Sequence, residues 1–70
     1  MAEIKVFYDK IGNTLTVWFA DPNLEHVSEE TGDEVILMKD RSGNVIGFEK
    51  LNFTATGADP LRLSFETATA

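Results

Sequence analysis

Glu34-Val35-Ile36-Leu37-Met38-Lys39-Asp40-Arg41-Ser42-Gly43-Asn44-Val45-Ile46-Gly47-Phe48-Glu49-Lys50-Leu51 reads as two strands around a tight turn. The flanks are rich in β-branched and apolar residues, which suit a pleated, half-buried surface. Asp-x-x-Gly at 40–43 fits a type I turn followed by a glycine in the left-handed region, the common bulged hairpin connection. With Asp40 opposite Asn44, Met38 faces Ile46 and Ile36 faces Phe48 on one side. Val35, Leu37, Val45 and Leu51 then share the other side with Lys39 and Glu49. Gly47 falls opposite Leu37, where its missing side chain leaves room for close packing.

Upstream, a second hairpin follows the same period of two. Ile4, Val6 and Tyr8 alternate with Lys5, Phe7 and Asp9, and Leu15, Val17 and Phe19 alternate with Thr14, Thr16 and Trp18. Asp9-Lys10-Ile11-Gly12-Asn13 supplies the turn, since Gly and Asn tolerate positive φ and Asp bonds nearby amides. Placing Asp9 opposite Thr14 sets Tyr8 against Leu15, Val6 against Val17 and Ile4 against Phe19, all on one face. The other face carries Lys5, Phe7, Thr16 and Trp18.

Two shorter signals complete the pattern. Asp21-Pro22-Asn23 suits one helical turn, proline being welcome at the first helical position. Leu61-Arg62-Leu63-Ser64-Phe65-Glu66 alternates again, after the turn-forming Gly57-Ala58-Asp59-Pro60, and predicts a fifth strand. The fold class expected is all-β, or α+β only by virtue of that one short helical turn. It is a small antiparallel sheet of two consecutive hairpins plus a C-terminal fifth strand, in a single domain spanning 1–70.

With 70 residues, such a domain buries only about 60% of the surface its unfolded chain exposes. Ordering costs of roughly 1.5 kcal/mol per residue nearly cancel the hydrophobic gain at this size. There is no cysteine, so neither a disulfide nor a thiolate zinc site can compensate, and one histidine is too few for an imidazole-rich metal site. Both faces of the sheet read as apolar, and no helix is long enough to cover either. The expectation is a homodimer, the partner copy covering a face that holds Phe7 and Trp18 or Ile36 and Phe48. Aromatics favour such a role because they bury much area at low entropic cost.

The net charge of −6 is unevenly placed. Asp21, Glu25, Glu29, Glu30, Asp33 and Glu34 fall in one segment without a Lys or Arg, and acids and bases balance elsewhere. Phosphate backbones are repelled by this balance, so no nucleic acid is expected. The segment reads as a solvated loop, with docking of a basic protein partner as the alternative. No apolar run approaches the ~18 residues of a membrane span. Met1-Ala2-Glu3-Ile4-Lys5 lacks the basic and apolar regions of a signal peptide. A cytoplasmic protein with no membrane partner is the corresponding expectation.

Chemistry-bearing residues are sparse. His26 stands beside Glu25, with Glu29 and Glu30 three and four positions on, a spacing that would share a side only in a helix. Asp40, Ser42 and Asn44 share part of a calcium-loop pattern, but its glycine is misplaced and the closing glutamate is absent. Asp9 reads as a turn residue. Glu49 lies between covered strand positions and reads as a structural or rim carboxylate. Ser28, Ser42 and Ser64 sit in no nucleophile-elbow pattern, and no glycine-rich phosphate loop is present. No catalytic residue, metal ligand or cofactor is assigned. Glu49, His26 and Asp9 are the weak candidates for the alternative, a small metal-assisted hydrolase.

Val6-Phe7-Tyr8-Asp9, Asn13-Thr14-Leu15-Thr16-Val17 and above all residues 34–49 together resemble the small bacterial family catalogued as domain of unknown function 2283. The resemblance spans Glu3 to Leu51 and leaves 52–70 as an extension. It implies a Tyr-Asp hairpin, then a strand, an Asp-x-x-Gly turn and a Gly-hydrophobic-Glu strand. Asn13 stands where an acidic residue is common in that family, which weakens any metal role for Asp9. The association of some members with toxin–antitoxin gene pairs implies an antitoxin-like partner of a basic protein. The functional expectation is thus a self-associating binding or assembly module.

Overall fold

The computed structural model describes residues 3–54, together with 64, 66 and 68. Five strands form one antiparallel sheet: β1 (Lys5–Asp9), β2 (Thr14–Trp18), β3 (Val27–Glu30), β4 (Val35–Lys39) and β5 (Val45–Lys50). Their spatial order is β1-β2-β5-β4-β3, so among the described residues the last strand is the central one and β1 and β3 are the edges. The described fold is all-β. Its one helical element is a single 3₁₀ turn, Pro22–Leu24, which Asp21 caps by accepting the Asn23 amide at 2.9 Å.

The first hairpin has the expected register, with Tyr8 opposite Leu15, Val6 opposite Val17 and Asp9 opposite Thr14. Its turn is built by Asp9, whose Oδ1 accepts the amides of Ile11 and Gly12, both at 3.0 Å. Asn13 closes it at φ 54°.

The second hairpin departs from expectation a few residues from its turn. The Asp40 amide donates to Asn44 O at 3.0 Å and Gly43 adopts φ 85°, as an Asp-x-x-Gly turn requires. Lys39 then faces Val45, but the next pair is Met38 with Gly47, so Ile46 is an extra residue and the ladder bulges there. The shift corrects the expected pairs: Leu37 faces Phe48 and Ile36 faces Glu49, so Ile36 and Phe48 lie on opposite faces. Glu49 accordingly joins the face of Ile36 and Met38. Gly47 meets Met38 and Trp18, not Leu37. A Cβ at Gly47 would stand 2.7 Å from Val17 O, 2.9 Å from the Trp18 ring and 3.2 Å from Met38 Cε. Its absence lets those two large side chains flank the central strand.

The acidic segment is not the loop it reads as. Val27–Glu30 within it pairs with β4 as an edge strand, Glu29 opposite Leu37 and Glu30 opposite Ile36. All four residues are exposed, so the side chains carry no alternation and the backbone ladder holds the strand. Lys39 Nζ adds an ion pair to Glu29 at 2.9 Å. The fifth strand expected over Leu61–Glu66 falls almost wholly outside the described residues. The strand completing the sheet is β3.

Beyond β5 the chain turns back along the end of the sheet. The Leu51 amide donates to Glu34 O at 2.8 Å and the Phe53 amide to Asn13 O at 3.0 Å. Phe53 packs edge-on against Tyr8, ring centroids 5.9 Å apart. Leu15, Met38 and Ile46 are the buried apolar side chains among the described residues.

Candidate interaction surface

Cross-strand partners share a face, so the registers place every candidate side chain. One face presents two rows that cross the sheet. The first is Phe7, Thr16, Glu49, Ile36 and Glu30; the second is Lys5, Trp18, Gly47, Met38 and Ser28. Phe7, Trp18 and Ile36 therefore belong to one surface, the Trp18 face. The opposite face carries Val6, Val17, Phe48, Leu37 and Glu29 in one row and Tyr8, Leu15, Lys50 and Val35 in the next. Phe48 packs there against Phe19, with centroids 5.9 Å apart.

Phe7 is the open end of the Trp18 face. It is 57% exposed on an edge strand, whereas Trp18 is half-buried beside the Gly47 gap and Met38 is buried. Ile11 is fully exposed at the hairpin tip, and Ile4 and Phe19 are also exposed. Glu49 occupies the middle of the face, half-buried between Thr16 and Ile36.

The weak chemical candidates are held apart. Strands lie about 4.8 Å from one another, so the two edges of a five-stranded sheet are ~19 Å apart. Asp9 ends β1 on one edge, and His26 precedes β3 on the other, its amide donating to Lys39 O at 2.8 Å. Glu49 stands on the central strand between them. Asp9 Oδ1 is committed to its turn. Among the described residues no group of three or more His, Asp or Glu side chains is placed to hold a metal ion.

Two shallow clefts flank the sheet. One, of about 360 Å³, lies between the 3₁₀ turn and the β4–β5 turn, lined by Asn23, Leu24, Glu25, His26, Asp40, Arg41 and Ser42. The other, of about 220 Å³, borders Glu30, Gly32, Glu34, Val35, Ile36 and Leu51. In the first, Asp40 is fully engaged with its own turn. Chiefly the Asn44 amide, together with the Asn44 side chain and the Ser42 amide, holds its carboxyl below the usual value.

The six acids from Asp21 to Glu34 line the β3 edge and its two flanking turns. Two are matched from within: Glu29 by Lys39, and Glu34 by Lys50 at 3.4 Å. That placement was not legible in the composition, which gives the charge excess but not the edge that carries it. Among the described residues no helix is long and apolar enough to cross a membrane.

No curated protein and no solved structure matches this chain. A family model does, over residues 5–53, which takes in all five strands and the Phe53 return. The chain belongs to the family described as "Protein of unknown function (DUF2283)".

Proposed function

We propose that this domain is a self-associating protein-binding module, in which the hairpin bearing Phe7 and Trp18 meets a second copy. The observation that carries the reading is the exposed Phe7 beside Trp18, on a sheet that among the described residues is one layer with few buried apolar side chains. Aromatic side chains are enriched among the residues that anchor protein interfaces. Burying even ~400 Å² of apolar surface per subunit contributes about 10 kcal/mol at ~25 cal/mol per Å². Association costs of comparable size offset much of it. Equilibrium sedimentation of the full chain at micromolar concentration tests the reading. The expected result is a dimer that Phe7→Glu converts to a folded monomer. A stably folded wild-type monomer would overturn it.

A second reading is favoured by the edge position of the acids. Glu25, Glu29, Glu30 and Asp33 form a negative rim suited to a basic protein, as in antitoxin-like neutralisation. Binding of a basic partner that weakens steeply with salt, and is lost on Glu29→Lys with Glu30→Lys, is the expected outcome.

A further inference from the structure

We propose that two copies join edge to edge through β1, antiparallel about a two-fold axis at Phe7, to make one continuous ten-stranded sheet. The inference rests on the self-association proposed above and specifies where the copies meet.

The two edges of the sheet are chemically unlike. β3 is Val27-Ser28-Glu29-Glu30, with Glu25 just before it and Asp33 and Glu34 just after. Two such edges brought together would crowd like charges along the whole ladder, a common way of guarding an edge strand against pairing. β1 is Lys5-Val6-Phe7-Tyr8-Asp9, with one base at one end, one acid at the other and an exposed aromatic in the middle. Among the described residues it pairs with β2 alone.

A two-fold axis through the middle of an antiparallel pair sets each residue against its mirror position. Centred on Phe7, the operation places Phe7 against the partner's Phe7, Val6 against the partner's Tyr8 and Lys5 against the partner's Asp9. The last pairing occurs twice by symmetry. Every pair is favourable: aromatic with aromatic, aromatic with β-branched, and opposite charges at both ends. The faces also agree. Lys5, Phe7 and Asp9 lie on the Trp18 face in both copies, and Val6 and Tyr8 on the other. Among the described residues Lys5 is held only by an exposed Glu3 contact at 3.6 Å, and Asp9 uses Oδ1 for its turn, leaving Oδ2 for the ion pair.

Stacking two Trp18 faces is the competing arrangement. It would carry a Glu49 carboxylate from the middle of each face out of water, without a described cation on that face near it. Edge pairing leaves Glu49 where it is.

The cysteine-free chain makes the test direct. Phe7→Cys places a thiol on the proposed axis, where directly opposed Cα atoms lie about 4.5–5.5 Å apart, within disulfide reach. Mild oxidation should convert nearly all of it to a covalent dimer, while Val27→Cys on the β3 edge stays uncrosslinked. Lys5→Glu replaces two attractive pairs with two repulsive ones and should raise the wild-type dimer dissociation constant about tenfold or more. Circular dichroism confirms that each variant is folded. A dimer in which Phe7→Cys fails to crosslink, or Lys5→Glu leaves the constant unchanged, overturns the β1 pairing and leaves self-association standing. A monomeric wild type overturns both.

Discussion

Asn13 grips Thr54 through three hydrogen bonds across a separation of 41 residues. Its Nδ2 donates to Thr54 O at 2.7 Å, and its Oδ1 accepts from the Thr54 amide at 3.0 Å and hydroxyl at 2.9 Å. The same asparagine closes the first hairpin at φ 54°, so one residue both ends a turn and fastens the chain that leaves the central strand. Glu34, at φ 61°, acts likewise on the other side. Its backbone carbonyl accepts the Leu51 amide and its carboxylate accepts Asn52 Nδ2 at 3.0 Å. The exit from β5 is thereby pinned to the starts of β2 and β4.

Replacing Asn13 separates these two duties. Asn13→Gly keeps the left-handed backbone and loses the grip, whereas Asn13→Ala loses both. The expected cost is about 1–3 kcal/mol for the lost bonds and a further ~1–2 kcal/mol for alanine at positive φ. Urea denaturation checks the order. Hydrogen exchange at the Thr54 amide should speed up in both variants.

Gly47→Ala should destabilise the sheet by about 1–3 kcal/mol, as overpacking does. The nearest obstacle is the Val17 carbonyl, which is backbone and cannot swing aside. Equal stability of the two proteins in urea would remove the close approach of Trp18 and Met38 to β5.

At Gly43 the cost has a different source. Nothing lies within 4 Å of a Cβ built there, so the strain is purely that of φ 85°. Gly43→Val should lower stability by about 1–2 kcal/mol. An unchanged melting temperature would remove the left-handed requirement of the turn.

Much of this was legible in the sequence, and the limits are physical. The first hairpin has a polar Lys5 and Asp9 against an apolar Val6 and Tyr8, so a one-residue slip would expose its core face and the register is readable. In the second hairpin both alternating sets are apolar from Val35 to Met38. A slip there exchanges one apolar set for another, so the bulge at Ile46 left no trace in the pattern. Phe7 and Trp18 were correctly placed together, while Ile36 and Phe48 were not. β3 was hidden because an exposed edge strand needs only its backbone, and its acids read as solvent-seeking.

Asp40 gives the fold a dependence on acid. Amide bonds led by that of Asn44 hold its folded-state carboxyl below the ordinary value of 3.8. A depressed folded value contributes stability above the unfolded value, and that contribution is lost as pH falls through the folded one. Asp40→Ala should therefore weaken the protein at pH 7, and the gap from wild type should narrow below about pH 4. Chemical denaturation at the two pH values checks it. A gap that does not change with pH would dissociate the carboxylate from the turn.

Calorimetric titration with calcium, magnesium or zinc should give no tight stoichiometric heat, given the ~19 Å between the edges that carry Asp9 and His26. Sub-micromolar binding abolished by His26→Ala would return the metal-assisted hydrolase to consideration.

Because the middle of the sheet is the last of the described strands, the first hairpin cannot join the rest until β5 is made. A growing chain can close β1 on β2, and then β3 on β4, through short local turns. β5 then folds onto β4 through the equally local Asp40–Asn44 turn, and the two halves have no common border until it also meets β2, Leu15 opposite Lys50. Such long-range pairing is slow relative to hairpin closure. Until it occurs, β2 and β5 each present an open inner edge. The vulnerable interval in the life of this protein is thus the wait for its keystone strand.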